Sequence, residues 1–118
     1  FLLFDHVWAP TAVMLGKADY PTLEQAIEKI QEAGHRSETS PNAGGRMRYL
    51  APKDLPLYEG APVAANVYVL GAALGHTSLG EILDQAEVAN LVQARWKRGA
   101  ERNRLAFQAG LEVSYGEY

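Results

Sequence analysis

The chain has 118 residues, of which 47% are hydrophobic and 21% charged, and its formal net charge at pH 7 is −3. This length fits one domain or part of one, and the acidic balance gives no overall case for binding nucleic acid or acidic lipid. The lack of cysteine excludes disulfides and thiolate-bound zinc or iron–sulfur clusters within the chain. It also fits a reducing compartment, and no apolar run reaches the roughly 20 residues of a membrane span, so we expect a cytoplasmic protein without membrane contact.

The N-terminal part of the sequence predicts two short strands and one amphipathic helix. Residues 1–5 (FLLFD) form an apolar run of strand length, and residues 12–15 predict a second short strand. The helix begins after Thr22, which has Gln25 three residues further on, the spacing of a capping box. Gly34 stands where the C-terminus of a helix favours a left-handed residue. Because the chain opens inside an apolar run, we expect it to be a fragment entered at a strand.

The helix predicted over residues 62–74 is unusual because it is apolar all round. It follows a polar loop at residues 37–45 and an alternating, strand-like stretch at residues 46–52. Pro62 fits the first turn of this helix, where its missing N–H costs nothing. The uniform apolar character predicts burial by a sheet on one side and by other helices or a partner on the other. Asn66 is therefore expected to be a buried, hydrogen-bonded amide, since an unpaired one costs about 1–3 kcal/mol.

The last third of the sequence has a helical pattern. Ser78 and Glu81 have the spacing of a second capping box, and the pattern continues to about residue 109, with two helices meeting near residues 96–99. Five of the eleven basic residues fall within residues 95–104. A basic helix can follow a phosphate backbone, but a solvated face or a docking face for an acidic partner is the simpler interpretation, and the acidic total favours it over nucleic acid.

Motifs for catalysis or metal binding are not found in the sequence. The Gly-Lys pair at residues 16–17 lacks the remainder of a phosphate loop, which needs a glycine five positions earlier and Ser or Thr after the lysine. Lys17 still offers a contact for an anionic partner. The three histidines are far apart, and GHTSLGE at residues 75–81 lacks the GxSxG order of a nucleophile elbow. The residues themselves thus predict no catalytic, cofactor-binding or metal-binding group.

Three stretches, in order along the chain, resemble one known family. They are WAPTAVMLGKADYP at residues 8–21, YLAPKDLPLYEGAPVAANVYVLGAAL at residues 49–74, and NRLAFQAGLE at residues 103–112. Together they resemble the C-terminal half of the beta subunit of indolepyruvate:ferredoxin oxidoreductase. They are also similar to the gamma domain of the wider 2-oxoacid:ferredoxin oxidoreductases. The family's glycine-rich N-terminal strand–turn–helix is absent, and residues 37–45 look like an insertion.

The resemblance implies an α/β fold in which short strands are packed by three to four helices. Residues 1–118 would form a single domain that is the C-terminal half of a larger gamma-type domain. The resemblance also implies structural or interface positions in place of catalytic ones. These candidate positions are Asn66, Gly71, Lys17, Tyr20 and Asn103.

The activity implied by the resemblance belongs to a larger complex. Such enzymes oxidatively decarboxylate 2-oxoacids with thiamine diphosphate and a divalent metal, pass electrons through iron–sulfur clusters to ferredoxin, and transfer the acyl group to coenzyme A. The thiamine and cluster sites lie in other domains or on a partner subunit. This chain is therefore expected to be a non-catalytic structural portion, inactive when isolated, that associates with a thiamine-binding subunit or with copies of itself. The apolar helix is the first candidate surface and the basic segment the second.

Two other classes remain open from the sequence. One is a stand-alone small α/β binding module without an enzymatic role, which a large exposed apolar patch would argue against. The other is a nucleic-acid accessory domain that uses residues 95–104, which would show strongly salt-dependent binding. The acidic net charge favours partners other than nucleic acid.

Overall fold

A computed structural model describes residues 2–4, 10–35 and 48–113 of the chain. Within these ranges lie six α-helices, four short strands and one 3₁₀ turn at Pro52–Asp54. The strands are β1 (Leu2–Phe4), β2 (Arg48–Leu50), β3 (Leu57–Tyr58) and β4 (Ala61–Pro62). The helices are α1 (Thr11–Met14), α2 (Leu23–His35), α3 (Ala65–His76), α4 (Leu79–Ile82), α5 (Gln85–Arg95) and α6 (Ala100–Glu112).

The described residues are mostly helical with short paired strands, which is an α/β arrangement in the broad sense. They contain six α-helices in place of the predicted three to four, because a predicted strand is helical and the 79–109 pattern is broken into three pieces. The chain divides into two compact units, one running to Leu50 and one beginning at Ala51. A single domain over residues 1–118 and a gamma-type fold therefore stay predictions. No helix within the described ranges combines the length and apolar character needed to cross a membrane.

The first unit contains a parallel strand pair. β1 pairs with β2 in a register that places Leu2 opposite Arg48 and Phe4 opposite Leu50. Both strands were predicted from the sequence, and Leu50 is buried. Parallel strands need a long crossover connection. The segment between β1 and β2 includes α1 and α2, whereas the predicted loop at 37–45 lies outside the described residues.

The prediction of a strand at residues 12–15 is wrong, because this stretch belongs to α1. The amides of Val13 and Met14 donate to the Pro10 carbonyl at 2.9 and 3.1 Å. The turn is closed by Gly16, which has a φ of 69°. A run of four apolar residues has too little periodicity to distinguish a strand from a helical turn, and here Pro10 supplies the start of a helix and Gly16 its end.

The amphipathic helix α2 begins as its sequence predicts. The Gln25 amide donates to Thr22 Oγ1 at 3.2 Å, and the Thr22 amide donates to Gln25 Oε1 at 2.9 Å. This reciprocal pair is the predicted capping box, which satisfies two amides that the helix itself leaves without acceptors. The helix continues through Gly34 to His35. Gly34 is thus part of the helix, and the expectation that it follows the last helical residue is wrong.

The second unit opens with a β-hairpin that the sequence does not predict. β3 and β4 are antiparallel, with Leu57 opposite Pro62. Their two-residue connection, Glu59 and Gly60, has φ values of 51° and 81°, as the tight turns that suit hairpin twist require. Pro62 therefore lies in a strand, and its predicted place in the first helical turn is wrong. α3 starts three residues later, at Ala65.

The C-terminal helices are separated by short breaks. The predicted meeting of two helices near residues 96–99 is confirmed by the end of α5 and the start of α6, with Gly99 at a φ of 79° between them. The predicted capping box of Ser78 is wrong, because Ser78 makes no side-chain cap hydrogen bond. Instead, Thr77 Oγ1 accepts from the Leu79 amide at 3.2 Å and donates to the Ala73 carbonyl at 2.5 Å.

Candidate functional site

The most extensive contact between elements of the second unit is that of α3 with α6. A Cβ atom on Gly71 would overlap the carbonyl oxygen of Phe107. A Cβ on Gly110 would overlap the carbonyl oxygen of Tyr68 and lie 2.8 Å from the Ala72 nitrogen. The two helix backbones therefore touch directly, and only glycine permits this distance at Gly71 and Gly110.

Small residues recur at a four-residue interval on both sides of this contact. Gly71 and Gly75 lie on one face of α3, and a Cβ on Gly75 would be 2.7 Å from the Leu111 carbonyl oxygen. Ala106 and Gly110 have the same spacing on α6, and both are buried. Because residues four apart share a helix face, each helix presents a smooth stripe that lets the larger side chains beside it interlock.

Large apolar side chains around the glycines form the core of this unit. Tyr68 and Leu74 are the largest fully enclosed side chains of the described chain. Full burial of such a side chain stabilises the fold by about 1.5–3 kcal/mol. The buried apolar residues of the second unit are Ala51, Val63, Val67, Tyr68, Ala72, Leu74, Val92, Ala106 and Phe107.

The apolar helix is therefore covered mainly by another helix. Within the second unit the main neighbours of α3 are the helices α6, α4 and α5, and the β3–β4 hairpin is not among them. The helix α3, which was the first candidate surface for association, therefore has one face buried in the chain's own core. Among the predicted structural positions, Gly71 is at the centre of that face.

The burial predicted for Asn66 is wrong. Asn66 is exposed in the first turn of α3. At 3.6 residues per turn it lies about 140° around the helix from Gly71, and therefore points away from α6. Asn103, in the first turns of α6, is half-buried, and its backbone N–H donates to the Gly99 carbonyl at 3.0 Å. Both asparagines remain candidates for contacts outside the chain.

The two candidates in the first unit are at its surface. Lys17 follows the left-handed Gly16 and is exposed, with its amide donating to the Ala12 carbonyl at 2.8 Å. The Tyr20 side chain is 45% exposed. These positions suit contact with a partner.

The basic segment does not form one free face. Arg102 is half-buried and donates from its guanidinium to the Pro62 carbonyl, and Arg104 pairs with Glu101 at 3.0 Å. Arg95, Lys97 and Arg98 remain exposed. Two of the five basic groups therefore have partners within the chain.

Several large apolar side chains are exposed outside the core. Among the described residues Ile82 is the most exposed of them, at 78%, followed by Met14 and Leu91, each at 68%. The others are Leu15, Tyr20, Leu57, Leu83, Trp96 and Leu105. Apolar surface open to another chain thus lies on α4, α5 and the first unit, rather than on the buried face of α3.

The described residues contain no group of three or more His, Asp or Glu side chains placed to hold a metal ion. A hydrogen bond from Lys29 Nζ to Glu32 Oε2 at 2.9 Å, together with the charge attraction of that carboxylate, raises the pKa of Lys29 above its usual value. That pair is on the exposed surface of α2 and stabilises a helical turn.

Comparisons of the chain with protein-family models, with curated proteins and with solved structures give no match.

Proposed function

We propose that the chain is a non-catalytic structural and assembly portion of a thiamine-diphosphate-dependent 2-oxoacid:ferredoxin oxidoreductase. Its substrates would be indolepyruvate or other arylpyruvates, and its location the cytoplasm. In this proposal thiamine diphosphate, the divalent metal and the iron–sulfur clusters are held by a thiamine-binding subunit or domain of the same enzyme. Ferredoxin is a partner of the whole complex and does not bind this chain directly.

One observation carries the proposal. Two of the three stretches that resemble the family, residues 49–74 and 103–112, are far apart in sequence and meet at the α3–α6 contact. The glycines of that contact, Gly71 and Gly110, fall within those stretches. A packing contact built from residues of both resembling stretches is what a structural portion of a larger enzyme requires.

The test is co-expression with the thiamine-binding subunit encoded in the same genome. We expect the tagged chain to retain that subunit through size exclusion, and the purified complex to reduce ferredoxin with indolepyruvate and coenzyme A. Gly71→Leu should abolish retention because it separates α3 from α6. Gln108→Ala, on the exposed side of α6, is the matched control and should leave retention unchanged.

Two results would contradict the proposal. One is a folded chain that never co-purifies with the thiamine-binding subunit. The other is a thiamine-binding subunit that reaches full activity in the absence of this chain. Either result, together with a stable monomer, would favour the stand-alone α/β binding module.

A further inference from the structure

The exposed face of α5 has an apolar centre and opposite charges at its two ends. Leu91 is 68% exposed. Glu87 lies four residues before it and Arg95 four residues after it, and both are exposed. Residues four apart share a helix face, so Glu87, Leu91 and Arg95 form one stripe along α5. Neither charged side chain has an ion-pair partner among the described residues.

The spacing of this stripe is symmetric about Leu91. In an antiparallel pair of α5 helices related by a two-fold axis at Leu91, Glu87 of one copy faces Arg95 of the other, and the reverse pair forms on the far side of the axis. The stripe is thus complementary to itself, which a two-fold interface requires. A parallel pair would instead place Glu87 against Glu87 and Arg95 against Arg95.

Two further charges lie just outside the ends of α5. Asp84 precedes the helix, and its side chain accepts from the Glu87 backbone amide at 2.9 Å and caps α5. Arg98 follows the last helical residue by three positions, and both side chains are exposed. The antiparallel arrangement therefore brings an acidic end of each copy to a basic end of its partner.

We propose that α5 is the interface of a homodimer in which two copies pack antiparallel about Leu91. The occupant of this face is a second copy of the chain, because opposite charges at equal distances from one apolar residue match that copy. The interface is small and polar at its rim, as in weak, transient complexes. This inference is independent of the proposed oxidoreductase role, since the chain can pair with itself whether or not it binds a thiamine-dependent subunit.

Charge reversal with rescue is the test, read by sedimentation of the purified chain across the micromolar range at low salt. Glu87→Arg and Arg95→Glu each turn both symmetry-related ion pairs into repulsions, so each should raise the dimer dissociation constant about tenfold. The double variant E87R/R95E restores both pairs and should return the constant close to that of the original chain. High salt should weaken the original dimer, because exposed ion pairs are screened.

The double variant distinguishes an effect on dimer formation from an effect on folding. Glu87 stands in the first turn of α5 and Arg95 in the last, where each favours the helix dipole. The double variant therefore has the least favourable α5 of the three, yet the proposal predicts that it pairs best. Glu24→Arg makes the same charge change in the first turn of α2 and should leave pairing unchanged.

Three outcomes would overturn the inference. The first is a monomer throughout the concentration range at low salt. The second is association that neither single reversal weakens. The third is a double variant, helical by circular dichroism, that pairs no better than the single variants.

Discussion

Gly71 and Gly110 decide how closely two helices of the second unit approach each other. A methyl group at Gly71 would meet a backbone carbonyl rather than a mobile side chain, so the overlap is relieved only by moving α3 away from α6. The glycine is costly to helix formation, yet it allows the surrounding Tyr68 and Phe107 side chains to be enclosed. The same residue thus weakens an isolated helix and stabilises the pair.

Gly71→Ala should lower the free energy of unfolding by about 2 kcal/mol. Overpacking costs about 3 kcal/mol, and the better helix propensity of alanine offsets about 1 kcal/mol of it. Chemical denaturation followed by circular dichroism measures the change. Gly99→Ala is the control, because nothing lies within 4 Å of a Cβ there and only its left-handed backbone is strained, at about 1 kcal/mol. Equal losses in the two variants would contradict the close helix contact.

Asn66→Leu should change the stability of the isolated chain by less than about 0.5 kcal/mol, as is usual for exposed positions. The exposed location of Asn66 removes the reason to expect the 1–3 kcal/mol loss of a broken buried hydrogen bond. The expected observation is that the midpoint and the slope of chemical denaturation are both nearly unchanged. A loss above 1 kcal/mol would mean that the amide is tied to neighbouring backbone after all.

At the scale of elements, sequence signals that involve only a few neighbouring residues predict secondary structure best. The start of α2 could be predicted because Thr22 and Gln25 bind each other's amides, and both residues lie within one turn. The same spacing at Ser78 and Glu81 misleads, because the neighbouring Thr77 takes the capping role. A capping motif therefore predicts a helix start only when no adjacent hydroxyl competes for the same amides.

Features that depend on distant contacts could not be predicted from local sequence. The face of α3 that is buried is chosen by α6, which begins 24 residues after α3 ends. Residues 62–74 are apolar nearly all round the helix, so their pattern does not indicate which side is exposed. The exposure of Asn66 could therefore not be predicted from it.

The β3–β4 hairpin was missed for another reason. Its strands have two residues each, and Glu59 adopts a left-handed conformation uncommon for its type.

Thr22→Ala should reduce the helical stability of α2 by about 1 kcal/mol. The variant removes the hydroxyl that accepts from the Gln25 amide, and leaves that amide without its side-chain acceptor. Amide hydrogen exchange in the first turn of α2 is the direct measurement and should accelerate. Thr22→Ser keeps the hydroxyl and should exchange at nearly the original rate. Equal acceleration in both variants would show that the hydroxyl contributes nothing.

At the scale of the whole molecule, the described residues that pack against each other differ from those that are exposed to a partner. The glycine contact and its apolar surroundings hold the second unit together, while the exposed residues of α5 offer a surface to another chain. In the proposed role, cofactor binding belongs to the partner subunit, because the family that the chain resembles holds its thiamine and cluster sites in other domains or on a partner subunit.

The chain alone should neither bind thiamine diphosphate nor decarboxylate indolepyruvate, whereas its complex with the thiamine-binding subunit should do both. Calorimetric titration of the isolated chain with thiamine diphosphate and magnesium should give only the heat of dilution, and magnesium alone is the control. The same titration of the complex should give a saturable signal. Micromolar binding by the isolated chain would mean that the cofactor site lies within this chain. The chain would then be a cofactor-binding component, and its role as a purely structural portion of the enzyme would be wrong.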